Sequence, residues 1–143
     1  MIHTFTLVDP WPGYGRADRS LPEAFTALAA APPEGCTYDP LVWGQYPGLK
    51  CGIEAPTRFE AVARVAGTVF REHGILLYDL GVEKLYEWSA DDPSDPERSG
   101  EQGNTWGRDI AAQLVLTGLD RMLKLGYTPA EARHFVDRAL GGR

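Results

Sequence analysis

The stretch 57-TRFEAVARVAGTVFREHGILLYDLGVEKLYEW-88 decides how the rest of the chain can fold. Thr57 and Glu60 have the spacing of a capping box, in which each side chain satisfies an orphan backbone N–H of a first helical turn. Phe59, Val62, Ala63, Ala66, Val69, Phe70 and His73 recur at helical spacing and predict the buried face. Arg58, Arg64, Arg71 and Glu72 fall mostly off it. Gly74 suits the left-handed residue that ends a helix. Residues 75–80 then form a short, almost wholly apolar run, too short for a helix and right for a central strand. Such a strand needs cover, and the preceding helix is nearest.

Working outward, Ile2, Thr4, Thr6 and Val8 alternate with His3, Phe5 and Leu7, the pattern of a first strand. Residues 9–19 are rich in Pro and Gly and predict a loop. Ser20-Leu21-Pro22-Glu23 is a second capping box, opening a short helix striped by Leu21, Phe25 and Leu28. Residues 37–44 and 49–54 predict a hairpin turning at Tyr46-Pro47-Gly48, with Pro40 demoting the first arm to an edge strand or a bulge.

The order strand, helix, strand, strand, helix, strand predicts an α+β fold. Its core is a ferredoxin-like four-stranded antiparallel sheet (βαββαβ) with both helices on one face. Over residues 2–85 the layout is similar to small ferredoxin-like regulatory and ligand-sensing domains. The expected organisation is this domain at 1–88, an acidic linker at 89–103 and a C-terminal helical hairpin at 104–143, packed on the same domain. The linker holds five acidic residues against one arginine and no large apolar residue. Its spacing does not fit a calcium loop.

Residues 105–125 predict a helix with apolar residues on more sides than one. Val115, Leu119 and Met122 form one stripe, Leu116 and Leu123 another. One is expected to pack on Phe135 and Val136 of the last helix, the other to meet the sheet, a second copy or another protein. The open face of the sheet is expected to be covered, by this tail or by a dimer mate. The last helix opens with a third capping box, Thr128-Pro129-Ala130-Glu131. The segment 125-LGYTPAEA-132 resembles the helix–turn–helix of ubiquitin-associated-type three-helix domains, including the one that closes Holliday-junction-binding proteins.

The chain of 143 residues carries a formal net charge of −6, which argues against an electrostatic grip on nucleic acid or anionic lipid and favours a basic partner. No run approaches the roughly 20 apolar residues of a membrane span, and MIHTFTLVDPW lacks the pattern of an export signal. The expectation is a cytoplasmic protein. Cys36 and Cys51 are the two cysteines. A turn at 46–48 would place Cys51 opposite roughly position 41–43 and Cys36 out of disulfide reach. Both are expected to be free, partly buried thiols.

No nucleotide-binding, metalloprotease or nucleophile-elbow motif is present, and His3, His73 and His134 fall on separate elements. No cofactor, metal site or catalytic residue is assigned. Three function classes stay open. The leading expectation is a binding or regulatory protein acting through protein contacts, immunity- or adaptor-like, able to form a homodimer. Trp11, Tyr14, Trp43, Tyr46, Trp88 and Trp106, in or beside loops, are its candidate contacts. The alternative is a small-molecule enzyme or sensor with a pocket between sheet and helices, drawing on Asp39, Cys51 and Asp79. The third is a nucleic-acid accessory protein, set against a C-terminal part only mildly basic and without a clustered basic stripe.

Overall fold

The computed structural model describes residues 1–10, 21–83, 85 and 104–143. Ser20, Trp11, Tyr14, Trp88 and the acidic stretch 89–103 lie outside them. Three strands, β1 (Ile2–Val8), β2 (Cys36–Val42) and β3 (Tyr46–Glu54), form an antiparallel sheet of order β1-β3-β2. Four helices complete an α+β fold: α1 (Leu21–Ala30), α2 (Arg58–His73), α3 (Thr105–Lys124) and α4 (Pro129–Ala139).

Alternation along the strands sorts the two faces of the sheet. His3, Phe5 and Leu7 of β1 and Leu49, Cys51 and Ile53 of β3 are buried. Against this face pack Phe25 and Leu28 of α1 and Ala61, Val62, Val65, Ala66 and Val69 of α2. Full burial of Leu28 or Val69 contributes about 1.5–3 kcal/mol each. On the opposite face Ile2, Thr4, Thr37, Lys50, Gly52 and Glu54 are exposed, and the C-terminal helices do not cover them. Val8 on this face is fully buried and Thr6 half-buried, so its β1 end is covered in part.

The α2 helix starts and stops where its sequence dictates. The Thr57 hydroxyl accepts from the Glu60 N–H at 3.1 Å, and Gly74 closes the helix at φ 70°. Its buried face, however, is rotated from the predicted one. Arg58, Ala61 and Val65 turn inward, while Phe59 and Ala63 are exposed. Arg58 bonds the Thr4 carbonyl and the Asp109 carboxylate from this inward position.

The hairpin also turns elsewhere than predicted. Trp43 and Gly44 take φ of 55° and 73°, and the Gln45 N–H donates to the Val42 carbonyl at 3.0 Å. Two consecutive left-handed residues give the chirality that matches strand twist. Gly48 instead lies inside β3, where a Cβ would collide with the Leu7 carbonyl of β1. This glycine serves close strand approach, a use that looks the same as a turn in sequence. The edge position of β2 and the register shift between Asp39 and Val42 follow from Pro40.

The predicted fourth strand does not form. Residues 75–78 and 80 are buried, with Leu77 at 0% exposure, yet among the described residues their pairing with β1 is a single isolated bridge, Val8 to Asp79, beside a bond from the Thr6 hydroxyl to the Leu80 carbonyl at 3.3 Å. Side chains take the backbone groups that a ladder would have used. The Arg58 Nη2 donates to the Thr4 carbonyl of β1 at 2.8 Å. The Gln113 carboxamide of α3 accepts from the N–H groups of Leu80 and Val82 at 2.9 and 3.1 Å and donates to the Val82 carbonyl at 3.0 Å. With these groups satisfied, burial no longer requires a strand. The four-stranded ferredoxin-like sheet is thus corrected to three strands with a buried extended segment at the edge of β1.

Candidate functional site

The site grows from α3. Its inward face mixes polar and apolar side chains: Arg108, Gln113 and Asp120 are buried, and so are Ile110 and Ala112. Arg58 and Asp109 meet in a two-pronged ion pair, Nε to Oδ1 at 2.7 Å and Nη2 to Oδ2 at 3.1 Å. Near the far end, Asp120 is 1% exposed and pairs with Lys124 at 2.9 Å and with Arg121. Arg121 and Lys124 lie over the Tyr78 ring, 5.2 and 5.3 Å from its centre. Burial pushes the Tyr78 phenol up to about 12.

The outward face of α3 is apolar and open. Leu114 and Val115 are 50% and 58% exposed. The connection to α4 has the expected chemistry: Thr128 and Glu131 complete the capping box in both directions, and Gly126 takes φ of 99°. Ala132 is the one α4 residue classed as buried. Phe135, Val136 and Leu140 are 60%, 40% and 84% exposed, so the predicted packing of α3 on Phe135 and Val136 covers them only in part. Between the helices runs an apolar groove of about 1000 Å³, floored by Leu119 and Met122 and rimmed by Glu131, His134 and Arg138. A second apolar hollow of about 530 Å³ flanks the other side of α4, between Phe70, Leu76 and Leu140. The last helix is therefore bordered by uncovered apolar surface on both sides.

Of the aromatic residues expected to bind a partner, Trp43, Tyr46 and Trp106 are described. Trp43 is 45% exposed at the β2–β3 turn, with its ring against Gly81, and Tyr46 is half-buried at the start of β3. Trp106 is 46% exposed in the first turn of α3. Trp11, Tyr14 and Trp88 lie outside the described residues.

The three residues considered for a polar pocket are apart. Asp39, Gly48, Val8 and Asp79 are successive partners across the sheet. Three strand spacings, roughly 14 Å, separate the two aspartates. Asp39 accepts from the Leu41 N–H at 2.9 Å and faces Lys50 at 3.3 Å; the backbone bond holds its carboxyl below the usual value. Asp79 accepts from the Gly81 N–H at 2.7 Å, and burial raises its carboxyl. Cys51 is buried on the core face of β3. The space between sheet and helices is filled by the hydrophobic core.

Among the described residues, no group of three His, Cys, Asp or Glu could hold a metal ion, and no helix is long and apolar enough to cross a membrane. The α3–α4 groove was only half legible in sequence. The excess of apolar residues on α3 was the signal, but periodicity did not say which of them, Ile110 and Ala112 or Leu114 and Val115, would turn inward. The chain matches no known family model, no curated protein and no solved structure.

Proposed function

We propose that the protein acts through protein–protein contacts made by the apolar face of α3 and α4, and that this face receives a second copy of the chain. The supporting observation is the uncovered apolar surface around α4. Taking 150–250 Å² as the full area of a large side chain, the exposed parts of Leu114, Val115, Tyr127, Phe135, Val136 and Leu140 come to about 700 Å² per chain. A stable interface takes about 800 Å² from each partner.

Charge on the groove rim supports a copy over an unrelated protein. Glu131 and Arg138 both line the groove and stand seven residues apart, on the same side of α4. Two α4 helices crossing antiparallel between His134 and Phe135 set each Glu131 against the other copy's Arg138. Phe135 then meets its own counterpart near the two-fold axis, in a self-complementary contact. The resulting four-helix layer covers the groove from above.

Sedimentation equilibrium tests this. The expected particle has twice the 15.7 kDa chain mass. Phe135→Asp and Arg138→Glu each shift it to the single chain, and adding Glu131→Arg to Arg138→Glu restores the pair. A folded wild-type protein that stays monomeric, or a double variant as monomeric as the single, overturns the second copy as occupant.

A further inference from the structure

The register of the β2–β3 hairpin brings together two thiols that the predicted turn kept apart. Cys36 and Cys51 are direct cross-strand partners, with sulfur atoms 3.1 Å apart. The neighbouring pair carries the hydrogen bond, Gly52 N–H to the Gly35 carbonyl at 2.9 Å, while the Cys36 N–H donates to Pro33 at 3.0 Å. Cys36 and Cys51 therefore occupy a non-hydrogen-bonded position, where opposed Cα atoms are only about 4.5 Å apart. That lies at the short end of the separation a disulfide spans.

We propose that Cys36 and Cys51 form a dithiol–disulfide site that exchanges with small-molecule disulfides of the glutathione class. The two sulfurs are unequal in the way such exchange needs. Cys36 sits half-buried on the edge strand β2, whereas Cys51 is 6% exposed on the central strand. Their mutual hydrogen bond holds the Cys36 thiol below the usual value and, with burial, pushes Cys51 up. Cys36 is thus the thiolate that attacks.

The exchange runs in two balanced steps. The Cys36 thiolate attacks one sulfur of the external disulfide, forming a mixed disulfide and releasing the first small thiolate. Cys51 then loses its proton to that thiolate or to solvent and attacks the Cys36 sulfur. Its sulfur–sulfur bond forms as the mixed one breaks, and the second small thiol leaves. Two protein thiols lose two electrons and two protons in all, and one external disulfide becomes two thiols. The product covalently ties the first residue of the edge strand to the central strand.

The test is incubation of the folded full-length protein with oxidised glutathione, read by intact mass and by alkylation of remaining thiols. The expected wild-type product is lighter by two hydrogens, with both alkylation sites lost together and both regained on adding dithiothreitol. Cys51→Ser is expected to stop at a stable glutathione adduct on Cys36. Cys36→Ser is expected to react much more slowly, because the remaining thiol is buried. A wild-type protein that accumulates the adduct, cross-links between chains, or keeps both thiols alkylatable in excess oxidant would falsify the proposal.

Discussion

The two faces of α3 are sorted less cleanly than those of a usual surface helix. Inward it presents Arg108, Gln113 and Asp120 beside Ile110 and Ala112, and outward Leu114 and Val115. Most amphipathic helices bury their apolar stripe and solvate their charges. Here Gln113 bonds the backbone of Leu80 and Val82, while Ile110 and Ala112 on the same side supply apolar contact. An unsatisfied buried N–H or carbonyl costs about 1–3 kcal/mol, comparable to burying a whole leucine side chain. The polar groups therefore hold inward positions beside apolar ones, and Leu114 and Val115 stay exposed.

Breaking the inward face should have the largest effect. Arg58→Ala leaves the Asp109 carboxylate and the Thr4 carbonyl without their partner, with the Arg58 side chain only 5% exposed. Removing one member of a buried pair costs about 3–5 kcal/mol. Urea unfolding should show a loss of that size, and a change under about 1 kcal/mol would make the pair incidental.

Gln113→Leu keeps the volume but removes every bond to Leu80 and Val82. The expected loss is about 2–3 kcal/mol, together with faster amide exchange at Leu80 and Val82. Protection unchanged at those two amides would mean that the segment holds its shape without the carboxamide.

The outward face should respond differently. Leu114→Ala is expected to change the stability of the isolated chain by no more than about 0.5 kcal/mol, as for an exposed position. The same substitution should weaken self-association, so that apparent stability in the wild type alone rises with protein concentration. Denaturation at two well-separated concentrations separates the contributions. A large loss at high dilution would place Leu114 in the chain's own core.

A further effect concerns pH. Tyr78 has a phenol raised to about 12 from its ordinary 10, chiefly by burial. Above pH 10 the unfolded chain releases this proton while the folded one retains it, so stability falls as pH rises from 10 to 12. Tyr78→Phe should show a shallower alkaline decline over that window. An identical slope would show that the ring titrates as freely folded as unfolded.

Local chemistry made much of the chain legible. Thr57 and Gly74 bound α2, Thr128, Pro129 and Glu131 open α4, and Pro40 marks β2 as an edge strand with an irregular register. These signals work because each is complete within a few residues: a hydroxyl reaches the N–H three positions on, and a glycine reaches the left-handed region without strain.

What the tertiary structure alone decided depends on partners distant in sequence. Gly48 could be a turn or a close approach, and only the proximity of Leu7 makes it the latter. That choice moved the hairpin turn to 43–45 and brought Cys36 opposite Cys51. Residues 75–80 are apolar enough for a central strand, but Gln113, over 30 positions later, and Thr6 bond the Leu80 backbone in place of a ladder. Periodicity reports that a helix has two faces and an apolar run needs burial. It does not report which distant side chain will satisfy a backbone group, nor which apolar residues of α3 will turn inward.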